Sequence, residues 1–506
     1  MYVCYRYKHR LAAKTGMGII KKQSILNTLV IYLGILIGFL SQLYIQPHFL
    51  KTEEIGLTRV LFSFSGILSV LMPIGSINIL NRFFQKYKDD ATGHNGFIGF
   101  ILLYTLVGIG CFSAILYIFK DVVAASYAGG SQLFSDYFYL VFPFCFILTI
   151  IQVFTAYSFA LLKSVIPSFF SEVVVRALFI ICIFLYYFQV LSFQQFIYSF
   201  VLVYGANLLL LLGYVFAINK PSLKIQREYF TADSRKLLWR FGFVMVFASV
   251  SSLGMRLIDV VILAKYVDLN ITGVYSIALF IGLFIETPLN SLERIAAPLM
   301  VKALTEKNHK DVHDIYHKSS TALFLIGGFL FLGVNACVVP LFWMMPPDYR
   351  GNELIVFIIS LGALFNMASG SNTSIIYNSE HHTKGTVLLV SIFVLLVIML
   401  ETLVPRFGMV GAAMSIALSS FLYNLGKMLF IQRFYKMQPF GFDSVKLLLL
   451  ITALYFVGSY LPHMHNAIID ILYRGSIVCI AYLVLAYTLK VIPEEFLKPV
   501  RKYLPI

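Results

Sequence analysis

LLWRFGFVMVFASVSSLGMRLIDVVILAK, residues 237–265, decides the class of this chain. The stretch is apolar and long enough to cross a bilayer, because about 20 apolar residues at about 1.5 Å each span ~30 Å. It nevertheless carries Arg256 and Asp259 inside the apolar run. A charge in hydrocarbon is costly, so such groups normally face protein or a wet cavity. The i, i+3 spacing puts the two on one helix face, close enough to pair. The longest basic loop of the chain precedes the stretch. Residues 237–265 are therefore expected to open a second lobe and to carry charge toward a cavity between two lobes.

The rest of the chain has the same character. Of 506 residues, 59% are hydrophobic and 12% charged, against about 25% charged in an ordinary soluble domain. The expected fold class is an all-α polytopic membrane protein with about 14 transmembrane helices. Apolar runs separated by polar punctuation fall at 25–45, 59–79, 97–118, 137–160, 170–189, 194–217, 239–263, 272–297, 320–341, 353–377, 385–404, 409–431, 446–461 and 468–489. They group into a basic N-tail (1–24), a six-helix lobe (25–217), a basic linker (218–238), a second six-helix lobe (239–431), an extra helix pair (446–489) and a C-tail (490–506). The first apolar run has no cleavage site after it and reads as a retained helix.

Net charge is +15. The basic residues favour one set of loops by about four to one, which is the positive-inside pattern with both termini cytoplasmic. The basic excess is thus a topology signal and not a nucleic-acid footprint. Six scattered cysteines form no CxxC and no metal-ligand spacing, so neither disulfide framework nor zinc site is expected. No GxxxxGK[ST] loop occurs, which excludes ATP hydrolysis by a P-loop. No connection between spans exceeds about 20 residues, the tails and the loop 302–319 apart, which leaves no room for a soluble catalytic domain. No cofactor is expected.

The two six-helix blocks read as a weak parallel repeat. Each has a short polar turn with a glycine, Gly56 or Gly273, before its second helix, and a proline within that helix, Pro73 or Pro288. Pro143 and the pair Gly327–Gly328 are further candidate kinks.

Few ionisable groups sit deep. Glu286 falls near the middle of the eighth run, and reads either as a protonatable or cation-binding carboxylate for ion coupling or as a structural carboxyl bonded to a neighbouring helix. Asp259 is a second coupling candidate. Arg256 reads as a cation for an anionic head group or as half of an interfacial ion pair. Glu172 and Arg176 are an i, i+4 pair placed at the inner end of the fifth run. Arg82 and Lys427 lie near inner ends and suit either a mouth that admits phosphate or positive-inside anchoring. Asn207, Asn366 and Gln152 suit either sugar hydroxyls or helix–helix hydrogen bonds. His381 and His382 lie in a turn without further metal ligands.

KKQSILNTLVIYLG (21–34), LKTEEIGLTRVLFSFSGIL (50–68), RLIDVVILAKYVDLNITGVYSIALFI (256–281) and PRFGMVGAAMSIALSSFLYNLGKMLFI (405–431) resemble the Wzx-type oligosaccharide flippases. That family lies within the multidrug/oligosaccharidyl-lipid/polysaccharide exporter superfamily, which also holds multidrug exporters and lipid II flippases. The resemblance covers essentially the whole chain through diffuse hydrophobic patterns. It implies two lobes around a central cationic cavity, a bacterial cytoplasmic-membrane location and a monomer. The implied substrate is a polyprenyl-pyrophosphate-linked oligosaccharide moved to the outer leaflet for O-antigen, capsule or exopolysaccharide. The implied partners are membrane lipid, the polysaccharide polymerase and the chain-length machinery. Only the basic position at Arg256 is carried over from the family. The implied role is that of a transporter and not an enzyme. The competing readings are a cation-coupled multidrug exporter, which favours acidic cavity groups, and a lipid II flippase, which differs only in head group. A membrane polymerase or ligase is disfavoured by the lack of a large external loop.

Overall fold

The computed structural model describes residues 23, 26–89, 92–219 and 222–493. Apart from Gln23, the expected basic N-tail lies outside the described residues, as does the C-tail beyond residue 493. Among the described residues the chain is helical without a strand, and twelve helices are long and apolar enough to cross a membrane. This is a multi-pass membrane protein.

In chain order the spans are α1 (Leu26–Phe49), α2 (Thr52–Leu71), α3 (His94–Ile118), α4 (Phe138–Ala160), α5 (Val165–Tyr187) and α6 (Phe193–Ile218). Then follow α7 (Ala232–Tyr266), α8 (Leu269–Thr305) and α9 (His309–Trp343). The shorter α10 is Glu353–Ala368. The 54-residue helix His382–Tyr435 is broken at Gly408, where φ is 55° and ψ −129°. We treat its arms, 382–407 and 409–435, as α11 and α12. The last pair is α13 (Phe442–Tyr460) and α14 (Ala467–Thr488). With the broken helix counted as two and the short helix included, each expected span has its counterpart.

The chain divides into two compact units, residues 1–261 and 262–506. The passage from one to the other occurs within α7. In the first unit, α2 stops at Leu71, passes through Pro73 and Gly75, and resumes as Ser76–Tyr87. Pro73 has no N–H to continue the ladder. Gly75 takes φ +75°, and a Cβ there would run into the Gly242 backbone of α7, so only glycine fits. The buried turn is held by the Tyr104 hydroxyl, which donates to the Ile74 carbonyl at 3.1 Å. Asn78 beyond the break donates to Ser249 of α7 at 2.7 Å.

In the second unit α9, α10, α13 and α14 share one apolar core, in which Leu323, Phe331, Met367, Leu447, Ile451 and Tyr482 interlock. Lipid tails are as apolar as these side chains, so close packing and hydrogen bonds hold the helices together. One such bond runs from the Tyr482 hydroxyl to the Leu325 carbonyl at 2.9 Å.

Three expectations need correction. The connection 302–319 is not a loop: α8 runs to Thr305 and α9 starts at His309. Charged residues such as Lys310 and Asp311 sit comfortably on a helix that extends past the hydrocarbon, and hydropathy alone sees only the apolar part. Gly327–Gly328 do not kink α9, which is continuous. They allow close approach, Gly327 to Met367 and Gly328 to Ile451 and Tyr482. Pro143 breaks nothing, because it lies in the first turn of the helix Val141–Ala160, where its missing N–H is not needed.

Candidate functional site

In the second unit, Glu286, Asn366 and Lys427 lie on α8, α10 and α12. Along α8 the regular helix ends at Leu283, a tight turn covers Phe284–Glu286, and the helix restarts at Thr287. Pro288 causes the break, since it can neither donate to nor stand clear of the Phe284 carbonyl. Thr287 satisfies that carbonyl instead, its hydroxyl donating at 2.7 Å. The break presents Glu286 to α10, where Asn366 Nδ2 donates to Glu286 Oε1 at 2.9 Å.

α10 itself ends at Ala368, and the chain turns through Gly370 into the short helix Asn372–Tyr377. Gly370 has φ +66°, and a Cβ would meet the Ser320 backbone nitrogen at 2.8 Å. Ser320 donates to the Ala368 carbonyl at 2.6 Å, and the Ser371 N–H donates to Ser319 at 3.2 Å. The turn is therefore tied to α9 and sets Thr373 and Tyr377 beside α12.

Lys427 of α12 is only 3% exposed. Its Nζ donates to Thr373 Oγ1 at 3.2 Å and lies 4.3 Å from the centre of the Tyr423 ring. Glu293 and Glu286 are the acidic groups whose fields reach it. The Tyr377 and Tyr423 hydroxyls are 3.2 Å apart, and Asn372 donates to Asn424 Oδ1 at 3.2 Å. Burying an ammonium without compensation costs several kcal/mol. Here a hydroxyl, an aromatic face and two carboxylates offset that cost together. The arrangement is a buried cation on a hydroxyl and an aromatic face, in the field of two carboxylates of α8.

The first unit treats its charges differently. Arg176 Nη2 donates to Glu172 Oε2 at 2.8 Å, four residues back on α5. Its Nη1 donates to the Gly34 carbonyl of α1. Gly34 lies against Glu172, and Gly38 lies against the Arg176 guanidinium. The pair is thus seated on a small-residue stripe of α1. Both side chains keep about a third of their surface exposed, 34% and 36%. The pair is not at the inner end of its helix as expected. Because α5 begins at Val165, Arg176 lies midway along it. Pro167 is tolerated in the opening turn, so the helix starts earlier than the apolar run suggests. A wider π-turn covers Phe170–Val174 beside the pair, and another covers Ser41–Ile45 in α1. Such bulges often mark functional sites.

The structure brings together Glu286, Asn366 and Lys427. It does not pair Arg256 with Asp259. Arg256 is exposed, whereas Asp259 is wholly buried, so three residues along the helix the environment has changed completely. Asn207 is buried in α6, at 3% exposure. Arg82 is exposed on Ser76–Tyr87, its guanidinium 4.7 Å from the Phe241 ring centre. Gln152 holds α4 to α2 by donating to Ser69 at 2.7 Å. Glu293, Thr373, Tyr377 and Tyr423 were missed. Glu293 follows Glu286 by seven residues, two helical turns on the same face, which is a signal the sequence did carry.

No protein-family model matches the chain. A stretch of 184 residues is 25% identical to the capsular polysaccharide biosynthesis protein CapF of Staphylococcus aureus, spanning 33% of this chain and 43% of that protein. Among solved structures, the lipid II flippase MurJ in an inward closed conformation matches with TM-score 0.70 at 13% identity, over 93% of this chain and 99% of that one. An inward-facing multidrug resistance MATE family transporter of the MOP superfamily matches with TM-score 0.60 at 14% identity, over 81% of this chain and 98% of its own. At these identities the likeness is one of fold. The fold is shared by structures named for different cargoes, so the charges inside the helices carry the argument about substrate.

Proposed function

We propose that the chain is a flippase that moves a polyprenyl-pyrophosphate-linked oligosaccharide across the bacterial cytoplasmic membrane by alternating access, for surface polysaccharide assembly. The observation that carries this reading is the buried cation Lys427, set in the field of Glu293 and Glu286, within a fold shared with a lipid II flippase over 93% of the chain. The partial likeness to a capsular polysaccharide biosynthesis protein points the same way.

A sugar head group cannot cross hydrocarbon unaided, while the lipid tail is at home there. Lys427 and Arg176 are the proposed contacts for the pyrophosphate, since each is already held beside carboxylate that an anion can replace. Arg256 and Arg82, both exposed, are proposed to meet the head group on its way. Asn366 and Asn207 are the proposed donors to sugar hydroxyls. Glu286, with Asp259 as the second candidate, is the proposed coupling carboxylate: a proton or cation taken up at Glu286 frees Lys427 from one of its anions. No bond is made or broken. Both termini are placed in the cytoplasm, on the distribution of Lys and Arg.

The test is deletion of the gene in its host. The expected result is lipid-linked oligosaccharide trapped on the cytoplasmic leaflet and loss of surface polysaccharide, reproduced by Lys427→Met at normal protein level. Sensitisation to organic cations with surface polysaccharide intact would instead favour the multidrug exporter. Accumulation of lipid II would move the substrate to peptidoglycan.

A further inference from the structure

A cavity of about 420 Å³ opens in the second unit among α9, α10, α13 and α14. It lies at the end of the unit where α9 and α13 finish and α10 and α14 begin. Its polar lining includes Glu353, Ser459 and His463, near the ends of α10 and α13, and Arg474 of α14. Its apolar lining includes Val339 toward the end of α9, with Leu332, Phe357 and Val478 further along their helices. From Leu332 to Val339 the helical rise is about 10 Å.

Arg474 is built into this wall. It is 4% exposed. Its Nε donates to the Ala336 carbonyl at 3.1 Å, which Pro340, four residues on, cannot satisfy. Its Nη1 and Nη2 donate to the carbonyls of Leu461 and Gly458 at 2.7 and 2.9 Å, closing the end of α13. Asp470 is wholly buried on the same helix. Its Oδ2 lies 2.9 Å from His463 Nδ1, and Arg474 Nη1 lies 3.3 Å from the same ring. Asp470 offsets the charge of Arg474, and Glu353 places a negative charge on another wall. A ligand of a single sign would meet its own charge somewhere in the mouth. One carrying both signs is complemented.

Tyr455 and Asn335 also line the cavity, with Asn335 Nδ2 donating to the Phe331 carbonyl and to Ser360 at 2.8 and 3.1 Å. These polar side chains in a largely apolar lining suit a ligand with polar groups between its head and its tail. Ester groups between a charged head and an acyl chain supply them.

We infer that this cavity holds a membrane phospholipid whose head group carries a phosphate and a primary amine. The phosphate lies toward His463 and Arg474 and the amine donates to Glu353, with the ester region by Tyr455 and Asn335 and an acyl chain over Phe357 and Val478. The inference is independent of the transported substrate.

Native mass spectrometry of delipidated full-length protein tests it, with phosphatidylethanolamine, phosphatidylglycerol and phosphatidylcholine of identical chains offered singly. Phosphatidylethanolamine adducts are expected to persist at least threefold more than either of the others, because neither glycerol nor a quaternary ammonium gives Glu353 a charged N–H. Glu353→Gln should bring the three lipids level, and Val339→Phe should remove all adducts by filling the chamber. If Val339→Phe does not fold, Glu353→Gln decides alone. Equal retention of the three lipids, a preference unchanged in Glu353→Gln, or no adduct at all would overturn the assignment. So would displacement of the adduct by a polyprenyl phosphate, which would place the cavity on the substrate's route.

Discussion

Arg176 in the first unit and Lys427 in the second are both cations set among apolar helices, and they are held in opposite ways. Arg176 finds its carboxylate on its own helix, one turn back, and stays about one-third exposed. Lys427 is 3% exposed and takes its hydroxyl partner from the segment after α10 and its anions from α8. A local pair is largely self-contained and survives movement of its neighbours. A pair spread over three helices reports on how those helices are arranged. The second is the better candidate for a group whose charge balance changes during transport, and the first for one that keeps a cation available throughout.

The strongest way to break this comparison is Lys427→Met. It removes the buried cation that Glu293 and Glu286 face, with an expected loss of about 3 kcal/mol in stability and of nearly all transport. Thermal unfolding in nanodiscs and a flipping assay on the same preparation check both. If the anions are the reason, adding Glu293→Gln should recover part of the stability, with a coupling of about 1–3 kcal/mol in the double-mutant cycle. Simple additivity would mean that Lys427 and Glu293 do not act on each other.

Arg176→Ala should cost less, about 1–2 kcal/mol, because a partly exposed pair and one carbonyl bond are lost. Coupling of Arg176 to Glu172 should appear in a cycle, while coupling to Glu286 should not. Gly38→Ala sharpens the same point. The added methyl meets the Arg176 guanidinium, so the bond to Gly34 should weaken by about 1 kcal/mol with the Glu172 pair kept. The smallest effect is expected for Arg82→Ala, which removes an exposed stack on Phe241 worth about 0.5–1 kcal/mol. A larger loss of transport than of stability there would mark Arg82 as a substrate contact.

Legibility followed the same division. The i, i+4 pair of Glu172 and Arg176 was readable because its partners lie on one helix, although its depth was not, since that depends on where α5 begins. The i, i+3 pair of Arg256 and Asp259 was read by the same rule and does not form. Spacing says which side chains can meet, and the surroundings of α7 bury one and expose the other. Glu286, Asn366 and Lys427 were each picked out as polar groups in apolar runs, but their union rests on the breaks at Pro288 and Gly370.

By itself the sequence determined the class, the succession of helices and the breaks at Pro73 and Pro288. These are local consequences of hydrophobic length and of missing N–H groups. Only the tertiary structure decided that α8, α10 and α12 place their polar residues in one cluster, and that Arg474 closes α13 and takes up the Ala336 carbonyl of α9. Those contacts join residues far apart in the chain, through hydrogen bonds whose geometry no spacing rule encodes.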